Sequence, residues 1–230
     1  ASDFPVALAD IDHIEVLEGA ASRVFGTSAF NGAINIVTKK AKNDGVSASV
    51  EGGSFGSFGA QGRVQTAYAK GKWTHAYSAS GGYKRSDGGT DNSDFEKGQG
   101  FGQVNLSYDQ CFDINAQVGI STQSYGANTF YSAKYNNQYE KTDHGMASLN
   151  LSLHNQEKTW EIAPQFYYNK FKDHYQLIRG KAGAAAGENY HDLDVYGGGL
   201  NANVAWALGK TAVGFDISKE CIYSTALGEE

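Results

Sequence analysis

The sequence predicts an all-β chain, and within that class part of a transmembrane antiparallel β-barrel. Three observations carry this expectation. Long segments alternate polar and apolar residues with period two. The links between them alternate between short and long. Charges inside the segments keep to the polar parity.

Composition agrees. The 230 residues include 29 glycines, 14 tyrosines and only 2 prolines, a make-up suited to strands joined by many turns. The net charge of −6, with no basic run, excludes a nucleic-acid binder. Cys111 and Cys221 are too few and too far apart for a disulfide framework or a zinc motif, and read as two unrelated thiols. No apolar run reaches the roughly 18 residues of a membrane helix. A mean hydropathy of −0.46 does not exclude a membrane barrel, whose apolar half occupies alternate positions. The chain opens on Ala1 with no signal peptide, which reads as an internal point of a longer or processed chain.

The first element differs from the rest. Residues 14–40, "IEVLEGAASRVFGTSAFNGAINIVTKK", read as strand, tight turn, short helix, glycine-broken loop and strand. Ile14, Val16 and Leu17 are expected in one buried strand, and Ile34, Ile36 and Val37 in another. Gly19, Gly26 and Gly32 permit tight turns and close backbone approach. A phosphate-binding loop is excluded, because "GAASRVFGTS" lacks the Lys before Ser/Thr and has the wrong spacing.

About nine strands follow, near 46–55, 58–69, 72–85, 99–109, 111–123, 142–154, 157–170, 193–208 and 210–223. Phe112, Ile114, Ala116, Val118 and Ile120 alternate with Asp113, Asn115, Gln117, Gly119 and Ser121; Leu149, Leu151 and Leu153 alternate with Asn150 and Ser152. Most segments exceed the roughly 5–6 residues of a soluble strand and suit a tilted crossing of a bilayer. Glu51, Arg63, Asp113, Glu161 and Asp216 all fall on the polar parity, while His75, Lys158 and Asp194 break it near strand ends. A Lys or Arg facing mid-bilayer lipid costs about 2–4 kcal/mol, less for Asp or Glu, so this parity separates a membrane barrel from a soluble sandwich. Short links stand near 70–72, 109–111, 155–157 and 209–210, and long ones near 85–98, 124–142 and 172–192. Trp73, Trp160, Trp206, Tyr68, Tyr108 and Phe112 cluster by the short links on the apolar parity, as an interfacial aromatic belt requires. An odd strand count is unusual for a closed bacterial barrel, so the strands read as part of a larger one.

The run from Ile14 to Lys39 resembles the end of the plug domain of TonB-dependent outer-membrane receptors, with Gly19, Ser22, Gly26, Ala29, Gly32, Ile34, Asn35, Ile36 and Thr38 in matching positions. It departs at Glu18, where a basic residue is common, and at Ala20 or Ala21, where proline is usual. The resemblance implies the C-terminal part of an α/β plug over residues 1–42. Residues 43–230 would then be the first strands of a barrel of about 22. "RSDGGTDNSDF", "YGANTFYSAKYNNQYEKT", "HYQLIRGKAGAAAGENYHD" and "IYSTALGE" are similar to loops of Bacteroides-type cobalamin (vitamin B12) receptors. That similarity implies corrinoid import in the outer membrane of a Gram-negative bacterium. Its partners would be the TonB complex, engaged through a segment upstream of Ala1, and a surface substrate-binding lipoprotein. A ferric siderophore or haem receptor is the alternative, and a passive barrel or adhesin a further one.

Candidate site residues lie in the long links. Tyr125, Asn128, Phe130, Tyr131 and Tyr135 combine aromatic faces with amides and suit a large flat ligand; Arg179, Lys181, Tyr190 and His191 form a second candidate set. Asp87, Asp91 and Asp94, with Glu96 nearby, place carboxylates at short spacing among glycines and are candidate calcium ligands. No catalytic residue is expected. His144 with Asp143 and Ser148, or His174 with Asp173, could be pieces of a triad. No nucleophile elbow accompanies them, and sequence-adjacent residues rarely make triads.

Overall fold

The computed structural model describes residues 4–18, 32–226 and 228–229. β1 (Ile11–Glu18) and β2 (Gly32–Thr38) form a two-stranded antiparallel hairpin, preceded by a short 3₁₀ turn at Leu8–Asp10. The expected short helix and glycine-broken loop between β1 and β2 lie outside the described residues. Ten strands then pair in sequence order in one antiparallel sheet. They are β3 (Gly45–Gly52), β4 (Phe58–Lys70), β5 (Trp73–Ser86), β6 (Phe95–Tyr108), β7 (Phe112–Gly126), β8 (Tyr139–His154), β9 (Trp160–Gln176), β10 (Glu188–Trp206), β11 (Gly209–Ser224) and the two-residue β12 (Gly228–Glu229).

All nine expected strands are present, but their bounds shift. β8, β9 and β10 run several residues further toward the long links than alternation predicts. The period-two signal fades there because both parities turn polar, while the ladder continues: Lys172 pairs Asp143 and Asp192, and His174 pairs Lys141 and Tyr190. The long links shrink accordingly to 87–94, 127–138 and 177–187.

One face of the sheet receives the N-terminal segment. Arg63 Nε on β4 donates to Asp10 Oδ1 at 3.2 Å, and Ser80 Oγ on β5 donates to Asp10 Oδ2 at 2.5 Å. Gln103 on β6 and Gln117 on β7 both donate to Thr38 Oγ1, at 3.0 and 3.1 Å. Gly119 lets the segment come close, since a Cβ there would stand 2.7 Å from the Pro5 carbonyl oxygen. The registers place Glu51, Arg63, Asp113, Glu161 and Asp216 on this same inner face. Polar parity is therefore inward parity.

The other face is an exposed apolar band. Val118 and Ile120 on β7, Ile162 and Phe166 on β9, Leu200 and Val204 on β10, and Val213, Phe215 and Ile217 on β11 all stand exposed on it. A surface this extensive needs a partner. Rings border the band at both ends. Near the short links, Trp73 packs on Tyr108 (ring centroids 4.9 Å apart) and Tyr68 stacks on His75 (4.7 Å). Near the long links, Tyr168 stacks on Tyr196 at 5.0 Å. Charges begin just beyond, where Lys170 meets Asp194 at 3.2 Å and Lys172 meets Asp192 at 3.2 Å.

Of the parity-breaking residues, His75 joins the lower ring border and Asp194 belongs to this outer charged zone. Asp194 is well inside β10 rather than near its end. Lys158 lies in the link 155–159 with φ 51° and is in no strand. The expectation of two buried strands at the N-terminus is corrected. Ile14, Val16 and Ile34 are 52%, 68% and 71% exposed, because the two-stranded hairpin has no third layer over that face among the described residues.

Candidate functional site

The three long links meet at one end of the sheet and are stitched together by side chains that each satisfy several partners. Gln138 is the hub, with no exposed surface. Its Nε2 donates to the Tyr135 carbonyl at 2.7 Å and the Ser132 carbonyl at 3.2 Å, closing the 127–138 link on itself. Its Oε1 accepts from Tyr175 Oη at 2.8 Å, and its backbone carbonyl from Asn92 Nδ2 at 2.7 Å and Ala127 N at 2.9 Å. A buried amide so fully paired fixes the conformation of the link that carries it.

Arg179 joins all three links. Its guanidinium grips Asp94 through two bonds of 2.6 and 2.9 Å and also donates to Asn92 Oδ1 at 3.2 Å. Its backbone N–H donates to the Asn137 carbonyl at 2.7 Å, and the guanidinium carbon lies 5.0 Å from the Tyr139 ring centre. The bidentate fork matches a carboxylate. Its hydrogen bonds hold the Asp94 carboxyl below the usual carboxylate range, against the opposing effect of partial burial.

An aromatic cluster sits beside this frame. Tyr131 meets Phe130 edge-on at 4.8 Å and Tyr175 edge-on at 5.5 Å. Its hydroxyl lies 3.1 Å from that of Tyr125 and donates to the Glu140 carboxylate. Burial first, and Glu140 second, push the Tyr131 phenol up to about 12. Tyr125, Glu140 and Tyr175 are on inward parity, whereas Phe130 and Tyr131 are 76% and 50% exposed in the link. The result is an exposed aromatic edge backed by one carboxylate.

The expected site residues divide. Tyr125, Phe130 and Tyr131 come together. Asn128 and Tyr135 serve the frame: Asn128 donates to Asn92 and Asp91 carbonyls at 3.1 and 2.8 Å, and Tyr135 offers its carbonyl to Gln138. Arg179 is a cross-brace, its Nη1 and Nη2 engaged by Asp94 and Asn92. Tyr190, of the second candidate set, stands apart from the inward cluster. It lies on outward parity, stacked on His174 at 4.3 Å and donating to Glu188 at 3.1 Å.

The calcium candidates Asp87, Asp91 and Asp94 are not gathered in one place. Asp87 pairs Arg85 at 2.6 Å, Asp94 pairs Arg179, and Asp91 contributes its carbonyl to Asn128. Glu96 accepts from Tyr83 at 2.9 Å on the outward face. No group of three acidic, His or Cys residues close enough to hold a metal occurs among the described residues. The triad fragments also fail to assemble. Consecutive Asp143 and His144 point to opposite faces, as do Asp173 and His174, and His174 bonds to Glu188 instead. Gln138, Asn92 and Glu140 were missed; nothing in a polar link marks one amide as its hub.

No protein-family model matches this chain, and no curated protein does. Solved structures do match. The copper transporter OprC superposes with a TM-score of 0.74 at 19% identity, over 93% of this chain and 34% of that one. The ferripyoverdine receptor of the outer membrane of Pseudomonas aeruginosa gives 0.74 at 15%, over 94% and 33%. The siderophore receptor PiuA from Acinetobacter baumannii gives 0.70 at 15%, over 94% and 36%. This chain therefore has the fold of part of such a receptor barrel and spans about a third of the length of those structures.

Proposed function

We propose that this chain is part of an outer-membrane receptor that captures a scarce, large ligand and imports it with energy supplied through TonB. Residues 1–42 are the last part of its plug and residues 43–230 the first part of its barrel. The observation that carries the reading is the two-faced sheet. One face is an exposed apolar band bordered by rings, which a bilayer covers. The other binds the N-terminal segment through Asp10 and Thr38, as a lumen holds its plug.

Ligand capture falls to the loop end. The exposed edge of Phe130 and Tyr131, backed by Glu140, suits stacking and hydrogen bonding to a large flat molecule. Together with the loop resemblance noted above, this supports a corrinoid, handed over by a surface lipoprotein. A ferric siderophore is the second reading, supported by the ferripyoverdine and siderophore receptors among the similar structures. Calorimetry on the full-length receptor separates them. Heat with cyanocobalamin, lost on Phe130→Ala with Tyr131→Ala, supports the first; heat only with ferric siderophores supports the second. Heat with neither sinks both.

A further inference from the structure

The turn between β3 and β4 stands at the long-link end, since β4 runs from it to the short link after Lys70. Ser57 N donates to the Ser54 carbonyl at 3.2 Å across Phe55 and Gly56, whose φ values are 59° and 62°. Two left-handed central residues are what a type I′ hairpin turn requires, and such turns favour Asn-Gly, Asp-Gly or Gly-Gly. Phenylalanine is out of place there, because the left-handed region crowds its Cβ against the following carbonyl oxygen. Phe55 is also 62% exposed, so burial of its ring offsets little of that strain.

The surroundings hold the turn in this state. The Phe55 carbonyl accepts from Asp87 N at 2.8 Å and from Ser86 Oγ at 3.2 Å, and Ser57 Oγ donates to Ser86 Oγ at 3.0 Å. A Cβ on Gly56 would collide with the Asp87 carboxylate, so only glycine fits beside it. The phenyl ring rests over Gly89, where a Cβ would stand 3.4 Å from its Cε2 and Cζ atoms. The same 87–94 link carries Asn92 and Asp94, which bond to Gln138 and Arg179. Phe55 is thereby fixed to the frame that carries Phe130 and Tyr131.

Backbone strain of this kind persists only where the surroundings over-determine it, and such residues gather at ligand clamps. The ring is supported by Gly89 and open over most of its surface. Stacking on a ring already held in place loses little side-chain freedom. We propose that Phe55 is a specificity-determining residue of the receptor, a second stacking surface for the flat face of the captured ligand. This step rests on the reading under Proposed function. The strain in the turn is then stability given up for binding.

The test sets turn stability against affinity in the full-length receptor. Phe55→Asn installs the residue that the turn prefers. Hydrogen exchange in the peptide spanning residues 53–58 should slow by about fivefold, the return of roughly 1 kcal/mol. Calorimetry uses whichever of cyanocobalamin and ferripyoverdine gives heat with the wild type, and the same variant should bind it at least about fivefold more weakly. Phe55→Leu, apolar but without a ring, should bind as weakly, and Phe55→Trp should bind as the wild type does. A role in folding alone would move stability and affinity in the same direction. Slower exchange with unchanged affinity, or faster exchange in Phe55→Asn, would overturn the proposal while the receptor reading stands. Heat with neither probe from the wild type would overturn both.

Discussion

Asp10 and Arg63 form a buried ion pair between the N-terminal segment and the barrel wall, 3.2 Å apart with side chains 2% and 9% exposed. Ser80 completes the carboxylate and the Lys39 carbonyl accepts from the guanidinium at 3.3 Å. A pair buried this deeply is costly to break from one side, by about 3–5 kcal/mol, yet replaceable by apolar residues at little cost. Asp10→Ala should therefore release the N-terminal segment to added protease in the full-length receptor. The double change Asp10→Leu with Arg63→Leu should restore much of the protection. Equal protection in the single variant would remove the pair from the docking account.

Gly119 argues the same docking from shape. A methyl group there would press on the Pro5 carbonyl oxygen at 2.7 Å and on Met146 Cγ at 3.2 Å. Overpacking a close contact costs about 1–3 kcal/mol. Gly119→Val should raise the protease sensitivity of residues 4–10, while Gly145→Ala, on the opposite face with open space above it, should leave it unchanged.

How far the sequence foretold this fold follows from one physical fact. Where lipid covers one face, every second residue must be apolar, so β7, β8 and the apolar part of β9 were legible by counting. Beyond the band both faces are wet, and nothing selects parity; the extensions of β9 to Gln176 and β10 back to Glu188 left no such signal. Tyr190 was nonetheless recoverable, since counting back from Leu200 along β10 assigns it outward. Arg179 was not: its grip on Asp94 spans 85 residues of sequence, and no local pattern reports a contact that the meeting of three links creates.

The link between β6 and β7 offers a stabilising change. Asp109 and Gln110 both adopt left-handed backbone, with φ 51° and 56°, and the Cys111 N–H donates to the Tyr108 carbonyl at 2.9 Å. Hairpins of this kind favour Asp-Gly, because a side chain in the left-handed region costs about 1–2 kcal/mol. Part of that gain is offset by the added freedom of glycine when unfolded, about 0.5–1 kcal/mol. Gln110→Gly should raise the melting temperature modestly, whereas Asp109→Gly should gain less, since Asp109 also holds Lys72 at 2.6 Å. A fall in melting temperature for Gln110→Gly would contradict the turn assignment.

The Arg179–Asp94 brace makes loop order depend on pH. Arg179 holds the Asp94 carboxyl below its usual value. The folded frame thus binds this proton less readily than the opened one, and the contribution is present in full above the ordinary aspartate value of about 3.9. It is lost as pH falls through the lower value of the braced state. A nitroxide label on Ser132, in the 127–138 link, reports this directly. Its mobility should stay constant from about pH 8 to 5 and rise only below about pH 4. Asp94→Asn should make the label mobile throughout that range. Because the pair is partly exposed and salt weakens it, high ionic strength should loosen the wild-type link in the same direction. Mobility that ignores both acid and Asp94→Asn would place the order of the link on Gln138 and its backbone partners alone.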